Sequence, residues 1–330
     1  MAWRSLQFAC LVVCLGAVAT AAAQSVDVPA AESLPSPAVR QEMADAWWTG
    51  PMLANSAATL PRGHWLIEPY VYDIHSDRSD SYGSRAYVLY GLTDRLTVGM
   101  IPIVGYNTAD GGPSSSRVLL GDFSVQAQYG LTQFQPGSWV PTTAIQIQET
   151  LPTGRYDHLH DNPGNALGSG AYATTVQFNA QTYYWMPNGR ILRMRLNVAQ
   201  TWARSTRVHG VSVYGTGEDF NGNAQPGNTF YVGLGWEYSV SRRWVLALDA
   251  TYTRNRSTRV AGQDIVTIDG LPEVMPYRSR SGSNIAYGLA PAIEYNWSSN
   301  MGVLLGTRVI FGGHRTTTTI TPAVALNMVF

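Results

Sequence analysis

From His64 onward nearly every segment alternates apolar with polar or small residues at period two, the pattern of strands with one apolar face. In Gly121 to Tyr129, Phe123, Val125, Ala127 and Tyr129 fall on one side, and Asp122, Ser124, Gln126 and Gln128 on the other. Between Arg190 and Arg204, Leu192, Met194, Leu196 and Val198 oppose Arg193, Arg195, Asn197 and Thr201. Leu246, Leu248 and Ala250 oppose Asp249, Thr251 and Thr253. Near the C-terminus, Ile320, Val324, Leu326 and Met328 oppose Thr319, Thr321 and Asn327. The pattern predicts strands at 64–74, 84–91, 96–104, 119–130, 141–151, 171–185, 190–204, 228–240, 244–256, 283–297, 301–311 and 318–330. Most have the ~9–11 residues that a tilted strand needs to cross a bilayer. A soluble β-sandwich would bury some of these faces, but it gives no reason for an apolar face on every strand.

The connections alternate in length. Leu92-Thr93-Asp94-Arg95, Pro187-Asn188-Gly189, Ser241-Arg242-Arg243 and Ser298-Ser299-Asn300 are short, while polar stretches at 75–83, 105–118, 152–170, 205–227 and 257–282 are long. This is the short periplasmic and long extracellular asymmetry of outer-membrane barrels. Leu131 to Val140 is longer than its periplasmic place predicts. The expected fold is all-β: a transmembrane antiparallel β-barrel of about twelve strands, with both ends on the periplasmic side.

Composition agrees with that reading. Charged residues make up 13% of the chain, about half the share usual in soluble proteins. Residues 1–23 read as a secretory signal peptide: Arg4, an apolar run from Phe8 to Ala19, and Ala21-Ala22-Ala23 at the cleavage site. Cys10 and Cys14 would leave with it, so the mature chain is expected to form no disulfide and no thiolate metal site. Beyond the signal no apolar run is long enough for a transmembrane helix. The formal net charge is zero, which gives no field to attract nucleic acid. All 22 basic residues are arginine, a fork suited to lipopolysaccharide phosphates, although base composition explains the bias more simply.

Aromatic residues gather where strands should meet the two interfaces: Trp65, Tyr129, Tyr184, Trp236, Tyr238, Trp244, Tyr295 and Trp297 near turns, Trp202 and Tyr252 near outer loops. Phe330 closes an alternating strand, as in the signal read by the barrel-insertion machinery.

Several stretches resemble a known family: Thr49-Gly50-Pro51 through Ala57, Leu60-Pro61-Arg62-Gly63, Tyr90-Gly91-Leu92-Thr93-Asp94-Arg95, Gly121-Asp122, and Leu151-Pro152-Thr153-Gly154. Together they are similar to the outer-membrane proteins grouped under the meta-pathway of phenol degradation. The resemblance covers most of the mature chain. It implies a transporter-like barrel linked to aromatic compounds, with no catalytic residues to carry over. Each piece also makes ordinary sense as a turn or a strand end.

Alternation turns Glu68, Asp122, Arg193, Arg195, Glu237, Asp249, Glu294 and Arg308 inward, as lumen-lining candidates. They are either a polar constriction that selects solutes or an ion-pair network that fills a lumen of low dielectric, and the second is favoured. The domains read as 1–23 signal, 24–63 N-terminal periplasmic or plug segment, and 64–330 barrel. Adjacent Trp47 and Trp48 suggest that the middle segment docks, entering or capping the periplasmic mouth like the hatch of long-chain fatty-acid transporters. Asp157, His158, His160 and Asp161 form the one dense set of possible metal ligands, but an exposed polar loop explains them more simply. No metal and no cofactor are assigned.

The expected function is passive, selective uptake of small hydrophobic or aromatic compounds, by a non-enzyme. The expected partners are outer-membrane lipids and lipopolysaccharide, the barrel-insertion machinery and those solutes. One alternative is a lipase or deacylase using a loop-borne Ser and one of His75, His158, His160, His209 or His314, although the strands carry no phospholipase-like Ser, His and Asn arrangement. Another is a structural barrel without transport.

Overall fold

The computed structural model describes residues 39–330 except 78, 110, 111, 161, 269 and 270. The expected signal peptide, residues 24–38 of the expected plug segment, and Asp161 lie outside the described residues.

The strands are Trp65–His75 (β1), Ser79–Thr93 (β2), Leu96–Ile101 (β3), Ile103–Ala109 (β4), Leu119–Leu120 (β5), Phe123–Thr132 (β6), Thr142–Leu151 (β7), Ala173–Trp185 (β8), Ile191–Ala203 (β9), Thr206–His209 (β10), Asn221–Gln225 (β11), Thr229–Ser239 (β12), Trp244–Asn255 (β13), Arg259–Ile268 (β14), Leu271–Arg280 (β15), Asn284–Asn296 (β16), Met301–His314 (β17) and Thr319–Val329 (β18). Fourteen of these form one antiparallel sheet, and β1 pairs with both β2 and β18, so the sheet closes on itself. Since β3 with β4, and β5 with β6, are each one interrupted stave, the wall is a closed barrel of twelve staves. Closure leaves no unpaired strand edge, which is what allows a sheet to stand in hydrocarbon. The final seam runs through Trp65 and Phe330, whose backbone groups exchange two hydrogen bonds of 3.0 and 2.9 Å.

Alternation holds in three dimensions. Along β9, Ile191, Arg193, Arg195, Asn197 and Ala199 are buried while the residues between them are half-buried. On β13, Leu246 and Leu248 are exposed and Val245, Ala247 and Asp249 are buried, so the wide apolar surface lies outside and the polar one inside. Trp65 stacks near Tyr90 and Trp244 near Tyr295, each pair with centroids 4.7 Å apart at the short-turn end.

Four departures from the expected elements have local causes. The stave expected at 96–104 breaks at Pro102, which has no N–H to donate, although its carbonyl still accepts from Ala86 at 3.2 Å. The stave expected at 119–130 breaks at Gly121 and Asp122, where the carboxylate turns to bind the next outer loop. Most of the connection expected at 75–83 is strand: Ser79 to Gly83 extend β2, Asp80 to Gly83 pair on both sides, and the stretch shows no apolar alternation. Finally, the connections at 205–227 and 257–282 contain a second sheet, in the order β10-β11-β14-β15. It packs around Val208, Phe220, Ala224 and Val260, with Phe220 edge-on to Tyr277 at 5.2 Å.

This architecture predicts a sharp contrast between two leucine replacements. Leu248→Arg, in the middle of a spanning stave, should cost about 2–4 kcal/mol on unfolding in lipid. Leu271→Arg, at the exposed tip of the outer sheet, should cost nearly nothing. Urea titration of vesicle-embedded protein measures both, and equal costs would contradict the assigned lipid face.

Candidate functional site

Residues 39–63 run against the inner face of the wall. The segment starts at the short-turn end, where the Gln41 N–H donates to Gly189 O at 2.9 Å and the Trp47 N–H to Arg242 O at 3.1 Å. It then touches stave after stave. The Thr49 and Gly50 N–H groups donate to Glu294 at 2.8 and 3.3 Å, and those of Leu53 and Ala54 to Asp249 at 3.1 and 3.0 Å. Asn197 binds the backbone of Asn55 from both sides, accepting from its N–H at 2.8 Å and donating to its carbonyl at 3.1 Å. Gln128 donates to the carbonyls of Ser56 and Ala58, Thr97 accepts from the Leu60 N–H at 2.8 Å, and Asp94 accepts from the Arg62 N–H at 3.0 Å. From β16 to β3 the path reaches nearly opposite sides of the ring. Met52 anchors it by packing on Ala290, Leu304, Ala323 and Ala325 of three neighbouring staves.

An irregular segment in a lumen of low dielectric must have its backbone groups satisfied. The wall satisfies them with side chains rather than with a ladder. That is why carboxylates and amides stand at inward positions of β9, β13 and β16.

Six of the eight lumen candidates face this segment or each other. Glu237, fully buried, takes two hydrogen bonds from Arg193, one of them 2.6 Å from Nε, and pairs with Arg195 Nε at 3.1 Å. Arg195 also donates to Ala54 O at 2.8 Å. Glu294 and Asp249 hold the segment as described, and Glu68 accepts from Asn327 at 3.2 Å. The other two lie elsewhere. Asp122 sits towards the long-loop end, accepting from the Gly154 N–H, the Ser169 N–H and the Ser169 hydroxyl at 2.8–3.0 Å. Arg308 lines a separate cavity described below.

Trp48 lies under the Arg193 guanidinium at 4.5 Å and Trp47 under that of Arg242 at 4.7 Å, so each ring meets a cation of the wall or of a turn. The amide network beneath the segment was not singled out in the sequence. Asn179 donates to Gln128 and Gln146 and accepts from Asn197 and Gln177, at 2.6–3.2 Å. Amides at alternating positions look like any solvated face, and nothing in their spacing distinguishes them.

Four of the five stretches that carry the family resemblance converge into two clamps. At the short-turn end, the Gly63 N–H donates to Gly91 O and the Gly91 N–H to His64 O. A Cβ on Gly91 would lie 2.1 Å from Pro61 O, so the entry Leu60 to Gly63 fits only against glycine. At the other end, the Thr153 hydroxyl donates to Gly121 O at 2.8 Å, and a Cβ on Gly154 would lie 2.7 Å from the Gly168 Cα.

Two cavities flank the segment and share Met52, Leu53, Asn55, Tyr70 and Tyr87. The inner one, about 260 Å³, includes Trp48, Glu68, Thr97, Arg193 and Arg195. The outer one, about 410 Å³, reaches Tyr72, Ile74, Thr175, Thr201 and Arg308 towards the long-loop end.

His75, His158, His160, His209 and His314 sit at the long-loop end, and His64 at the short-turn end. His75 contacts Asp73 and Asp80 at 2.8 and 2.9 Å, and the His158 ring lies 5.5 Å from that of His209. Both His158 and His160 adopt left-handed backbone, with φ of 49° and 44°. Among the described residues no group of three or more potential ligands is arranged to hold a metal ion, and no serine hydroxyl hydrogen-bonds a histidine ring.

Removing the shared carboxylate should expose how far the inner charges depend on it. Glu237→Gln leaves Arg193 and Arg195 buried without a counter-charge and should cost about 3–5 kcal/mol on unfolding. Urea titration in lipid vesicles measures it, and a cost under about 1 kcal/mol would mean that another acid or water takes over the pairing.

A model of the family described as "Putative MetA-pathway of phenol degradation" matches residues 51–312. Among curated proteins no sequence relative matches. Among solved structures, an outer membrane channel from Pseudomonas putida F1 is similar over 84% of this chain and 100% of its own, at 14% identity and a TM-score of 0.63. A toluene transporter of Pseudomonas putida aligns over 88% of this chain and 98% of its own, at 12% identity and a TM-score of 0.40.

Proposed function

The chain belongs to the family described as "Putative MetA-pathway of phenol degradation", and from that premise we propose that it passes small hydrophobic or aromatic molecules down their gradient across the outer membrane. The observation that carries this reading is a lumen partitioned into two cavities, of about 410 and 260 Å³, by residues 39–63. A closed barrel with an apolar exterior suits residence in the membrane, and a narrowed lumen suits small solutes better than bulk water. No energy input is needed where the gradient supplies it.

In this reading residues 24–63 form a periplasmic plug segment. Its hold on the wall is a set of individual hydrogen bonds, each a modest net contribution of about 0.5–1.5 kcal/mol. Such a segment can shift locally while the ladder of the wall stays intact. Glu68, Arg193, Arg195, Glu237, Asp249 and Glu294 then line the constriction, and Asp122 steadies the outer loop beside it. Trp47 and Trp48 anchor the segment at the mouth. Residues 1–23 direct export and are then removed, the strand ending at Phe330 is read by the insertion machinery, and arginines of the long-loop end such as Arg254, Arg256 and Arg278 meet lipopolysaccharide phosphates.

Planar-bilayer conductance tests the reading. The mature protein should form narrow channels, and deletion of residues 39–58 should raise the single-channel conductance. Asn197→Ala, which removes both bonds to Asn55, should raise it less. Vesicles carrying the protein should swell in benzyl alcohol. If conductance is unchanged by the deletion, the plug assignment fails; if vesicles with the protein swell no faster in small aromatics than protein-free vesicles, the passage reading fails.

A further inference from the structure

The outer cavity differs from the rest of the lumen in its charge. Its lining includes Arg85 and Arg308, four tyrosines and the apolar floor of Met52 and Leu53, but no aspartate or glutamate. Deeper in the barrel, Arg193 and Arg195 share Glu237. Among the described residues neither Arg85 nor Arg308 has a carboxylate within ion-pair distance, and the buried Nε of Arg308 has no hydrogen-bond partner. Asp249 does not line this cavity, and both of its oxygens accept from the Leu53 and Ala54 N–H groups.

The two arginines belong to one stretch of wall. Arg308 on β17 pairs with Thr321 on β18, Tyr72 on β1 pairs with Ala323 of β18, and Tyr70 of β1 pairs with Arg85 on β2. Four adjacent staves thus carry both guanidiniums, with tyrosines between them. Tyr70 meets Tyr87 edge-on at 6.1 Å, and Tyr231 stands on β12, away from these four staves.

Arg308 is half-buried and Arg85 is exposed to the cavity it lines, and a guanidinium in a lumen of low dielectric without a counter-charge favours a ligand that brings a carboxylate. Its planar fork matches the two oxygens of a carboxylate, and tyrosine faces and edges take a flat ring at favourable angles. At about 410 Å³ the cavity falls at the small end of ordinary ligand sites, ~300–1,000 Å³, and the floor limits the length of an apolar tail.

We propose that the outer cavity binds a small aromatic carboxylate, its anionic head held by Arg85 and Arg308 and its ring by Tyr70, Tyr72, Tyr87 and Tyr231. This deepens the passage reading and rests on it for its role: the cavity is where the solute is captured before the segment beneath it yields.

The test is equilibrium titration of the folded full-length mature protein in detergent, followed by calorimetry, with benzoate, benzyl alcohol, cyclohexanecarboxylate and octanoate. Benzoate should bind the wild type about tenfold more tightly than benzyl alcohol, a difference of about 1.4 kcal/mol, and more tightly than cyclohexanecarboxylate. Arg85→Gln and Arg308→Gln should each narrow the gap between benzoate and benzyl alcohol. Equal affinities for benzoate and benzyl alcohol in the wild type, a comparison that needs no variant to fold, would overturn the proposal. So would octanoate binding more tightly than benzoate, which would assign the cavity to acyl chains. Vesicle swelling separates the two claims. Swelling in benzyl alcohol without arginine-dependent benzoate binding overturns the site alone; arginine-dependent binding without swelling upholds the site and overturns passage.

Discussion

Every feature of this molecule depends on where backbone N–H and C=O groups find partners in the absence of water. The wall solves the problem by closure. With β1 bonded to both β2 and β18, no stave of the ring is left as an edge, and the seam is completed by Trp65 and Phe330. Once the ladder has consumed the backbone groups of the wall, side chains are free to specialise by face. Those outside need only be apolar, and those inside are available for polar work.

The segment 39–63 faces the same problem without a ladder, and its solution shapes the lumen. Its N–H groups at Thr49, Gly50, Leu53 and Ala54 require acceptors, and Glu294 and Asp249 supply them. The dependence is mutual, because a carboxylate in such a place requires donors. Asn197 shows the economy of this arrangement: one amide answers both the N–H and the carbonyl of Asn55. Arg193, Arg195 and Glu237 form a compact charge-paired group in the same region, whereas among the described residues no carboxylate lies within ion-pair distance of Arg85 or Arg308 in the outer cavity. The contrast between a paired and an unpaired pair of arginines gives the two cavities different chemistry within one lumen.

At the long-loop end a second sheet forms from two connections and packs on a small core of its own around Phe220. Asp122 and the Thr153 hydroxyl tie the loop after β7 to the break between β5 and β6. The barrel is therefore furnished at one end by a segment ordered by side-chain hydrogen bonds and a few apolar contacts, and at the other by a small sheet with its own ladder and core, while the wall between them is held by the closed ladder.

The amino-acid sequence by itself determined the barrel. Period-two alternation is a local property, each stave displays it separately, and alternate short and long connections then dictate antiparallel neighbours and an even count. Which charged residues share a face with one another was equally legible, since the face of Arg193 or Asp249 follows from the residues beside it. Only the tertiary structure decided what those residues meet. That Glu294 binds the backbone of Thr49, that Arg308 shares a cavity with Arg85, and that 205–227 pairs with 257–282 are matters of register and closure between positions far apart in the chain. Polar strands such as Ser79 to Gly83 and the amides around Asn179 escaped a sequence reading for one reason. Their stability comes from partners across the ring, and a pattern that measures only apolar spacing along the chain carries no trace of them.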